Sequence, residues 1–197
     1  MNFLAHLYLS GKEEDVIIGN FVADAIKGNS LGHYPHGMER GIRLHREIDS
    51  YTDSHELFRA SRNRLAPRYN HFSGIIVDLY YDHFLAKLWN EYSNEDLNGL
   101  VANTYFLLIR KFHLLPARSR RILPFMITQN WLVNYRDLDT MQRVFNGMSR
   151  RINRPSGMEN ATGDLVAGYS LYEAEFRGFF PEITDHINRF RSNLIGL

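Results

Sequence analysis

One segment of this chain, residues 41–55, places an imidazole and carboxylates at helical spacing. It reads GIRLHREIDSYTDSH, and on a helix His45 and Asp49 are neighbours one turn apart. Asp53 continues the row, and Ile42 lies on the same stripe, so this face should point into the protein. Inward carboxylates and imidazoles are costly to bury unless a partner compensates them. A divalent cation is the simplest such partner, and the segment therefore predicts a metal site.

Three further polar clusters lie in otherwise apolar, helix-like segments. They are Asn2 with His6; Asn20 with Asp24 and Lys27; and Asp78 with Asp82 and His83. Asp78 and Asp82 share a face with large apolar side chains, so exposure to solvent does not explain them. Inward polar groups on several helices need mutual compensation. The predicted metal ligands are Asp24, His45, Asp49 and Asp78.

Several of these residues also have simpler interpretations. A single histidine such as His6 is more often a hydrogen-bonded core or capping residue than a ligand. Asn20 could only satisfy a helix end, and Asp53 with His55 could finish one helix and cap the next. Arg46 could form an ion pair with a carboxylate of its own helix.

The absence of cysteine narrows the chemistry. Oxygen and imidazole ligands without sulfur suit Mg²⁺, Mn²⁺, Fe²⁺ or Zn²⁺, with the softer ions disfavoured. Such an ion lowers the pKa of bound water and polarises a phosphoryl oxygen. Lys27, Arg46 or Arg68 could hold a phosphate. A chain without cysteine also fits a reducing compartment, and we expect a cytoplasmic protein.

The signatures of several other enzyme classes are absent from the sequence. It contains no Glu-x-x-His of the ferritin-like di-iron bundles and no His-Glu-x-x-His zinc motif. It also contains no Gly-x-Ser-x-Gly, no Walker loop and no Gly-x-Gly-x-x-Gly.

Apolar residues recur at helical intervals nearly throughout, and the sequence predicts an all-α protein. The 197 residues hold no repeat and no obvious linker, so we expect a single compact helical bundle over residues 1–197. We expect Ser93 or Asn94 to cap one helix and Pro124 to kink or split another. The predicted helices are 16–26, 38–53, 71–92, 94–115, 117–135, 138–152, 163–179 and 181–194, with a loop at 151–163.

The net charge of +1 conceals an uneven distribution. Residues 97–136 hold six basic residues and no acid, and residues 57–71 hold four arginines and no acid. A local basic field attracts an acidic partner, although solubility and helix-end charges explain the pattern equally well. No apolar run reaches the roughly 20 residues of a membrane span.

Four segments, in order, resemble the acyl carrier protein phosphodiesterase family, also called acyl carrier protein hydrolyase. They are MNFLAHLYLS, GNFVADAIKG, GIRLHREIDSYTDSH and DLYYDHFLAKLW, and they cover the first half of the chain. The resemblance implies hydrolysis of the phosphodiester that joins 4′-phosphopantetheine to a serine of holo acyl carrier protein. It also implies a fold related to the HD-domain metal-dependent phosphohydrolases and a divalent metal, with Mn²⁺ the first choice and Mg²⁺ the second.

With this resemblance, further residues become candidates for catalysis. His6, Asp82 and His83 are second choices as ligand, proton donor or orienting residue, and Lys27 or Arg46 would stabilise charge on the phosphate. Because acyl carrier proteins are acidic, one of the two basic segments could steer docking. The arginines concerned are Arg59, Arg62, Arg64 and Arg68, or those of residues 118–121.

Two other functions fit the same residues. The first is an HD-like metal phosphohydrolase that acts on a nucleotide or another small phosphoester, since sites rather than folds set function. The second is a helical protein that binds an acidic partner without chemistry. We expect neither a nucleic acid nor a membrane as partner, and the sequence leaves the oligomeric state open.

Overall fold

All regular structure in the described part of the chain is helical, which confirms the predicted all-α class. The computed structural model describes residues 1–28, 31–32, 34–153 and 155–195. The α-helices are α1 Phe3–Ser10, α2 Glu14–Val22, α3 His36–Ser54, α4 Glu56–Tyr69, α5 Ser73–Lys87, α6 Trp89–Tyr92, α7 Leu97–Arg110, α8 Ala117–Thr128, α9 Trp131–Asn134, α10 Leu138–Arg150, α11 Ala161–Ala167 and α12 Tyr169–Ile195. Within these residues, none of the helices is both long and apolar enough to cross a membrane.

Helix α5 lies in the middle of the apolar core. All residues from 79 to 86 are buried, so the helix meets neighbours on every side. Helix α12 covers it with aromatic side chains, and the rings of Phe84 and Phe176 stack at 5.8 Å between centroids. A helix buried on every face in this way is a fixed support for the helices around it.

Helices α2 and α3 pack closely because each contributes a glycine at the crossing. A Cβ atom on Gly19 would lie 2.1 Å from the carbonyl oxygen of Met38, and one on Gly41 would lie 2.2 Å from that of Val16. Neither distance is possible for a real side chain, so these positions set how near the two backbones come. The close approach brings the polar residues of α2 against those of α3.

Two predicted boundaries are wrong for identifiable reasons. The sequence predicts a break before Pro181, but α12 runs through it. Pro181 is exposed, so water can satisfy the carbonyl that lacks a donor, while Phe179 and Ile183 on either side are fully buried in one core. The cap of α7 is Asp96, whose carboxylate accepts from the backbone N–H of Gly99 at 2.8 Å, and not Ser93 or Asn94.

Other predicted helices are divided or displaced. The predicted helix 71–92 is two, α5 and α6, and the split in 117–135 comes at Asn130 in the left-handed region, past Pro124. The predicted loop 151–163 is shorter than expected, because α11 already begins at Ala161. Arg154 of this loop lies outside the described residues. Helix α4 is absent from the predicted set, although His55 caps it and the helix buries Phe58, Leu65 and Tyr69 at helical spacing.

Candidate functional site

Two imidazoles and one carboxylate from distant parts of the chain meet at one point. His6 comes from α1, and His45 and Asp49 come from adjacent turns of α3. Nε2 of His6 lies 3.1 Å from Oδ1 of Asp49, and Nε2 of His45 lies 3.1 Å from Oδ2 of the same carboxylate. The two rings stack with centroids 4.1 Å apart. Potential ligand atoms of all three residues lie within 4.8 Å of one another, a spacing that suits a metal ion.

Asn20 of α2 fixes the orientation of both imidazoles. Its Nδ2 donates to the carbonyl oxygen of His6 at 3.1 Å and to Oγ of Ser10 at 2.8 Å, so the other end of the amide must be the oxygen. That oxygen lies 2.9 Å from Nδ1 of His6 and 2.9 Å from Nδ1 of His45. An amide oxygen only accepts, and both Nδ1 atoms therefore carry a proton.

This tautomer leaves Nε2 of a neutral ring with a lone pair. Nε2 of His6 faces two acceptors, Oδ1 of Asp49 at 3.1 Å and the carbonyl oxygen of Met1 at 3.1 Å. A lone pair surrounded by oxygen atoms is repulsive unless a cation lies between them. Metal-ligating histidines commonly donate their second nitrogen to a fixed acceptor, as both rings do here to Asn20. The donor set therefore fits a divalent cation.

The charges of the cluster depend on burial and on the short contacts within it. Burial lowers the pKa of His6 to about 4, although a hydrogen bond from the protonated ring to Asp49 would favour the charged form. Burial acts in the same direction on His45, but hydrogen bonds with Asp24 and Asp49 outweigh it and raise its pKa to about 9. Burial raises the pKa of Asp49, but its contacts with His45 and then His6 outweigh burial and lower it. His45 thus holds a proton where a metal ion would otherwise bind.

Asp24 stands at the edge of this group. It follows α2 in a short 3-10 turn, and its Oδ1 lies 3.3 Å from Nε2 of His45. Its side chain is 63% exposed, so it faces the cavity rather than the core. The hydrogen bond with His45 lowers the pKa of Asp24, and its carboxylate is an ionised acceptor beside the cluster.

Asp78 and Asp82 of α5 have partners of a different kind. Oδ1 of Asp78 lies 2.8 Å from the α-ammonium of Met1, and burial raises the pKa of the Asp78 carboxyl although this ammonium opposes it. Asp82 is fully buried and accepts from the backbone N–H groups of Leu4 and Ala5 at 2.8 and 3.1 Å. Burial raises its pKa to about 7 against those two bonds. Asp82 therefore anchors the first turn of α1, the helix that carries His6.

The remaining candidates lie apart from the cluster. His83 bonds the carbonyl oxygen of Tyr135 and the hydroxyl of Tyr169, each at 2.8 Å, and burial lowers its pKa. The guanidinium of Arg46 donates to the carbonyl oxygen of Gly28 at 2.6 Å. Lys27 is exposed, as is Asp53, which sequence spacing predicted to point inward. Of these residues, only Asp53 is among the described residues that line the cavity beside the cluster.

That cavity has a volume of about 750 Å³. Its wall includes the whole cluster together with Asn20, Asp24 and Asp78. Its other side is formed by α8 and the end of α10, with apolar side chains such as Phe125 and Met148. Three arginines also line it: Arg118, Arg143 and Arg151. Sequence reasoning did not single out Arg143 and Arg151, because nothing in their local spacing shows that they line the same cavity as the cluster.

The helical fold and the site together define a protein with a histidine–aspartate centre suited to a divalent cation. The family model described as Acyl carrier protein phosphodiesterase matches residues 1–183, and the chain belongs to this family. A protein of that name from Photorhabdus laumondii is 32% identical over 182 residues, which cover 92% of each chain. Another from Salmonella dublin is 34% identical over 191 residues, covering 93% of this chain and 95% of the relative. No solved structure matches the chain.

Proposed function

We propose that this chain hydrolyses the phosphodiester that joins 4′-phosphopantetheine to a serine of holo acyl carrier protein. Water adds to phosphorus, the bond from phosphorus to the serine oxygen breaks, and that oxygen takes a proton. The products are apo acyl carrier protein and free 4′-phosphopantetheine. Family membership supports the reaction. The convergence of His6, His45 and Asp49 in the cavity wall is the observation that supports placing the reaction in this cavity.

In this proposal, Nε2 of His6, Nε2 of His45 and an oxygen of Asp49 hold the metal ion, and Asp24 is a fourth candidate ligand. Two nitrogen ligands with carboxylate oxygens make Mn²⁺ the first choice and Mg²⁺ the second, because Mg²⁺ prefers oxygen. When bound, the ion supplies Lewis acidity, which lowers the pKa of water and polarises a phosphoryl oxygen.

The chain's own residues supply the rest. Asn20 keeps both imidazoles in place, so the ligand atoms need no rearrangement. The exposed carboxylate of Asp24 can accept a proton from water that enters the cavity. Planar guanidinium groups bind phosphate oxygens through paired N–H donors. We therefore assign phosphate binding to the cavity arginines, in place of Lys27 and Arg46.

The carboxylates of α5 act indirectly in this proposal. Asp82 is a positioning residue, because its bonds to the first turn of α1 determine where His6 lies. Asp78 lines the cavity beside the cluster and pairs with the α-ammonium of Met1, which neutralises part of the local negative charge. His83 has no part in the proposed chemistry.

The test is to incubate the purified protein with holo acyl carrier protein and Mn²⁺ and to weigh the carrier by mass spectrometry. Wild type is expected to remove the phosphopantetheine mass from the carrier, and His45→Ala should leave the carrier mass unchanged. His186→Ala is a matched control, because His186 pairs with Glu47 at 2.7 Å outside the cavity wall and should leave turnover intact. An unchanged carrier mass, with the same preparation cleaving small phosphodiesters, would overturn the proposed substrate and favour a small phosphoester.

We further propose that residues 1–197 form a single domain. Residues from Met1 to Ile187 contribute to one cluster of buried apolar side chains, in support of that proposal. The cytoplasmic location stays a prediction from the composition.

A further inference from the structure

The two basic segments differ in what their arginines touch. In the segment 57–71, Arg64 donates to Glu175 at 2.6 and 2.9 Å, and Arg68 pairs with Asp164 at 2.7 Å. These charges are already neutralised within the chain. Among the described residues, by contrast, no carboxylate pairs with Arg118, Arg120 or Arg121, and all three are exposed.

The basic segment 97–136 also carries a concentration of exposed apolar side chains. Phe106 is 66% exposed, Ile109 54%, Phe125 52% and Phe112 41%, and they make up four of the seven large exposed apolar residues in the described part of the chain. Two guanidinium groups lie over these rings: that of Arg110, which also pairs with Glu14, is 5.9 Å from the centroid of Phe106, and that of unpaired Arg120 is 6.0 Å from the centroid of Phe112. Exposed apolar side chains concentrated among unpaired charges are typical of an interaction surface. We call these residues of α7, α8 and the turn between them the α7–α8 face.

This face is continuous with the cavity. Arg118 and Phe125 lie on α8, are exposed, and also line the cavity that holds the histidine–aspartate cluster. The hydroxyl of Tyr105 in α7 donates to the carbonyl oxygen of Met126 in α8 at 3.0 Å, which holds the two helices together. A partner that rests on α7 and α8 therefore covers part of the cavity rim.

We propose that the α7–α8 face is the docking surface for the protein substrate, an acidic carrier protein; this inference rests on the proposed function. The scissile phosphodiester is attached directly to a serine of that protein. The protein's own surface must therefore sit at the cavity rim when the phosphate reaches the cluster. An acidic helix with an apolar seam would complement the unpaired arginines and the exposed phenylalanines. The segment 57–71 has two of its four arginines neutralised, and its helix α4 does not line this cavity within the described residues.

The test reverses charge on the outer side of the face. Arg120→Glu with Arg121→Glu should raise KM for the holo carrier about tenfold or more at low ionic strength while kcat is kept, because rim charges act mainly on encounter. The difference from wild type should shrink as salt rises. Turnover of bis(p-nitrophenyl) phosphate, which needs no docking surface, should stay unchanged. The matched control is Arg59→Glu with Arg189→Glu, two exposed arginines on α4 and α12, for which KM should stay within about twofold of wild type.

A second variant tests the apolar part of the face. Phe106→Ser should also raise KM for the carrier without altering cleavage of the small diester, and its exposure means that the fold should tolerate the change. An unchanged carrier KM in both variants, with wild type active on the carrier, would overturn the docking face and leave the proposed function standing. If wild type does not cleave the carrier, both the proposed function and the docking face are overturned. Cleavage of the small diester by the same preparation would show that the protein itself is active.

Discussion

At the scale of single residues, the site depends on one amide. Asn20 satisfies all of its own hydrogen-bonding groups within the protein: two donors to His6 O and Ser10 Oγ, and one oxygen shared by two imidazoles. It is 1% exposed, so water does not compete for these bonds. The same residue therefore fixes the tautomer of both candidate ligands and the direction of both Nε2 atoms.

Removing this amide should weaken metal binding without removing a ligand. Asn20→Ala leaves both Nδ1–H groups without an acceptor, and we expect Mn²⁺ affinity to fall about 10- to 100-fold, as for other orienting residues behind a metal ligand. Isothermal titration with Mn²⁺ measures this. Ser10→Ala is the control, since it removes a bond on the donor side of the amide and leaves the imidazole contacts in place. Equal affinities in wild type and Asn20→Ala would contradict the assignment.

The raised pKa of His45 makes metal binding pH-dependent with a defined sign. Below about pH 9 the metal-free ring is protonated, so an ion must displace that proton, whereas His6, with a pKa of about 4, is already neutral above pH 5. Between pH 6 and 8 we expect apparent affinity to rise about tenfold per pH unit and about one proton to leave per ion. Titration calorimetry in buffers of different ionisation enthalpy counts the protons. An affinity independent of pH, or two protons released, would show that the assigned charges are wrong.

Sequence spacing could predict only part of the site at this scale. The i,i+4 relation places His45 and Asp49 on one face of α3, and the structure brings Asp24 to them. Nothing local shows that α1 packs beside α3, so His6 could not be told from a core histidine. Asp78 and Asp82 share a face as expected, but their partners belong to the first residues of the chain, and only tertiary packing reveals this.

At the scale of elements, the crossing of α2 and α3 decides whether the cluster forms. Asn20 follows Gly19 directly, and Gly41 lies one turn before His45, so both glycines that permit the close approach are neighbours of site residues. The contact joining the two helices at the site is the 2.9 Å bond between Oδ1 of Asn20 and Nδ1 of His45. An increase in the separation of these helices would lengthen that bond.

Gly41→Ala should therefore affect stability and metal binding together. Its Cβ would meet backbone atoms of α2 that cannot rotate away, so we expect a loss of about 1–3 kcal/mol in the free energy of unfolding, typical of overpacking. Urea denaturation gives the free energy, and Mn²⁺ titration should show weaker binding. Gly163→Ala is the matched control: it lies in α11 with open space around the new Cβ and should gain up to about 1 kcal/mol. A Gly41→Ala protein as stable as wild type would rule out glycine as the reason for the close crossing.

Helix α12 shows where element prediction from sequence fails. Proline in a helix interior removes a hydrogen bond and clashes with the preceding turn, which is a sound local reason to end a helix. The structure continues through Pro181 because Phe176, Phe180 and Ile187, all fully buried, lie on one continuous element along the core. Local propensity is a weak constraint when a long apolar face is available, and the pattern of aromatic residues was the better predictor.

At the scale of the whole molecule, we expect the fold to persist without the ion. The buried apolar cluster includes residues of α1, α5, α10 and α12, and it extends far from the histidine–aspartate centre. Metal removal by a chelator should therefore leave the helical circular dichroism signal in place. What changes is the balance between folded and unfolded chains, because the assembled cluster exists only in the folded state.

This balance gives a test of the site that does not use activity. At a free Mn²⁺ concentration 100 times Kd, an ion that binds only the folded protein adds about 2.7 kcal/mol to the free energy of unfolding. For a chain of this size that corresponds to a rise of about 5–10 °C in Tm. The rise should vanish in His45→Ala, which lacks a ligand, and persist in His186→Ala, whose imidazole pairs with Glu47 instead. Because the signal is thermodynamic, an equal rise in His45→Ala would place the ion elsewhere in the protein, whatever the substrate proves to be.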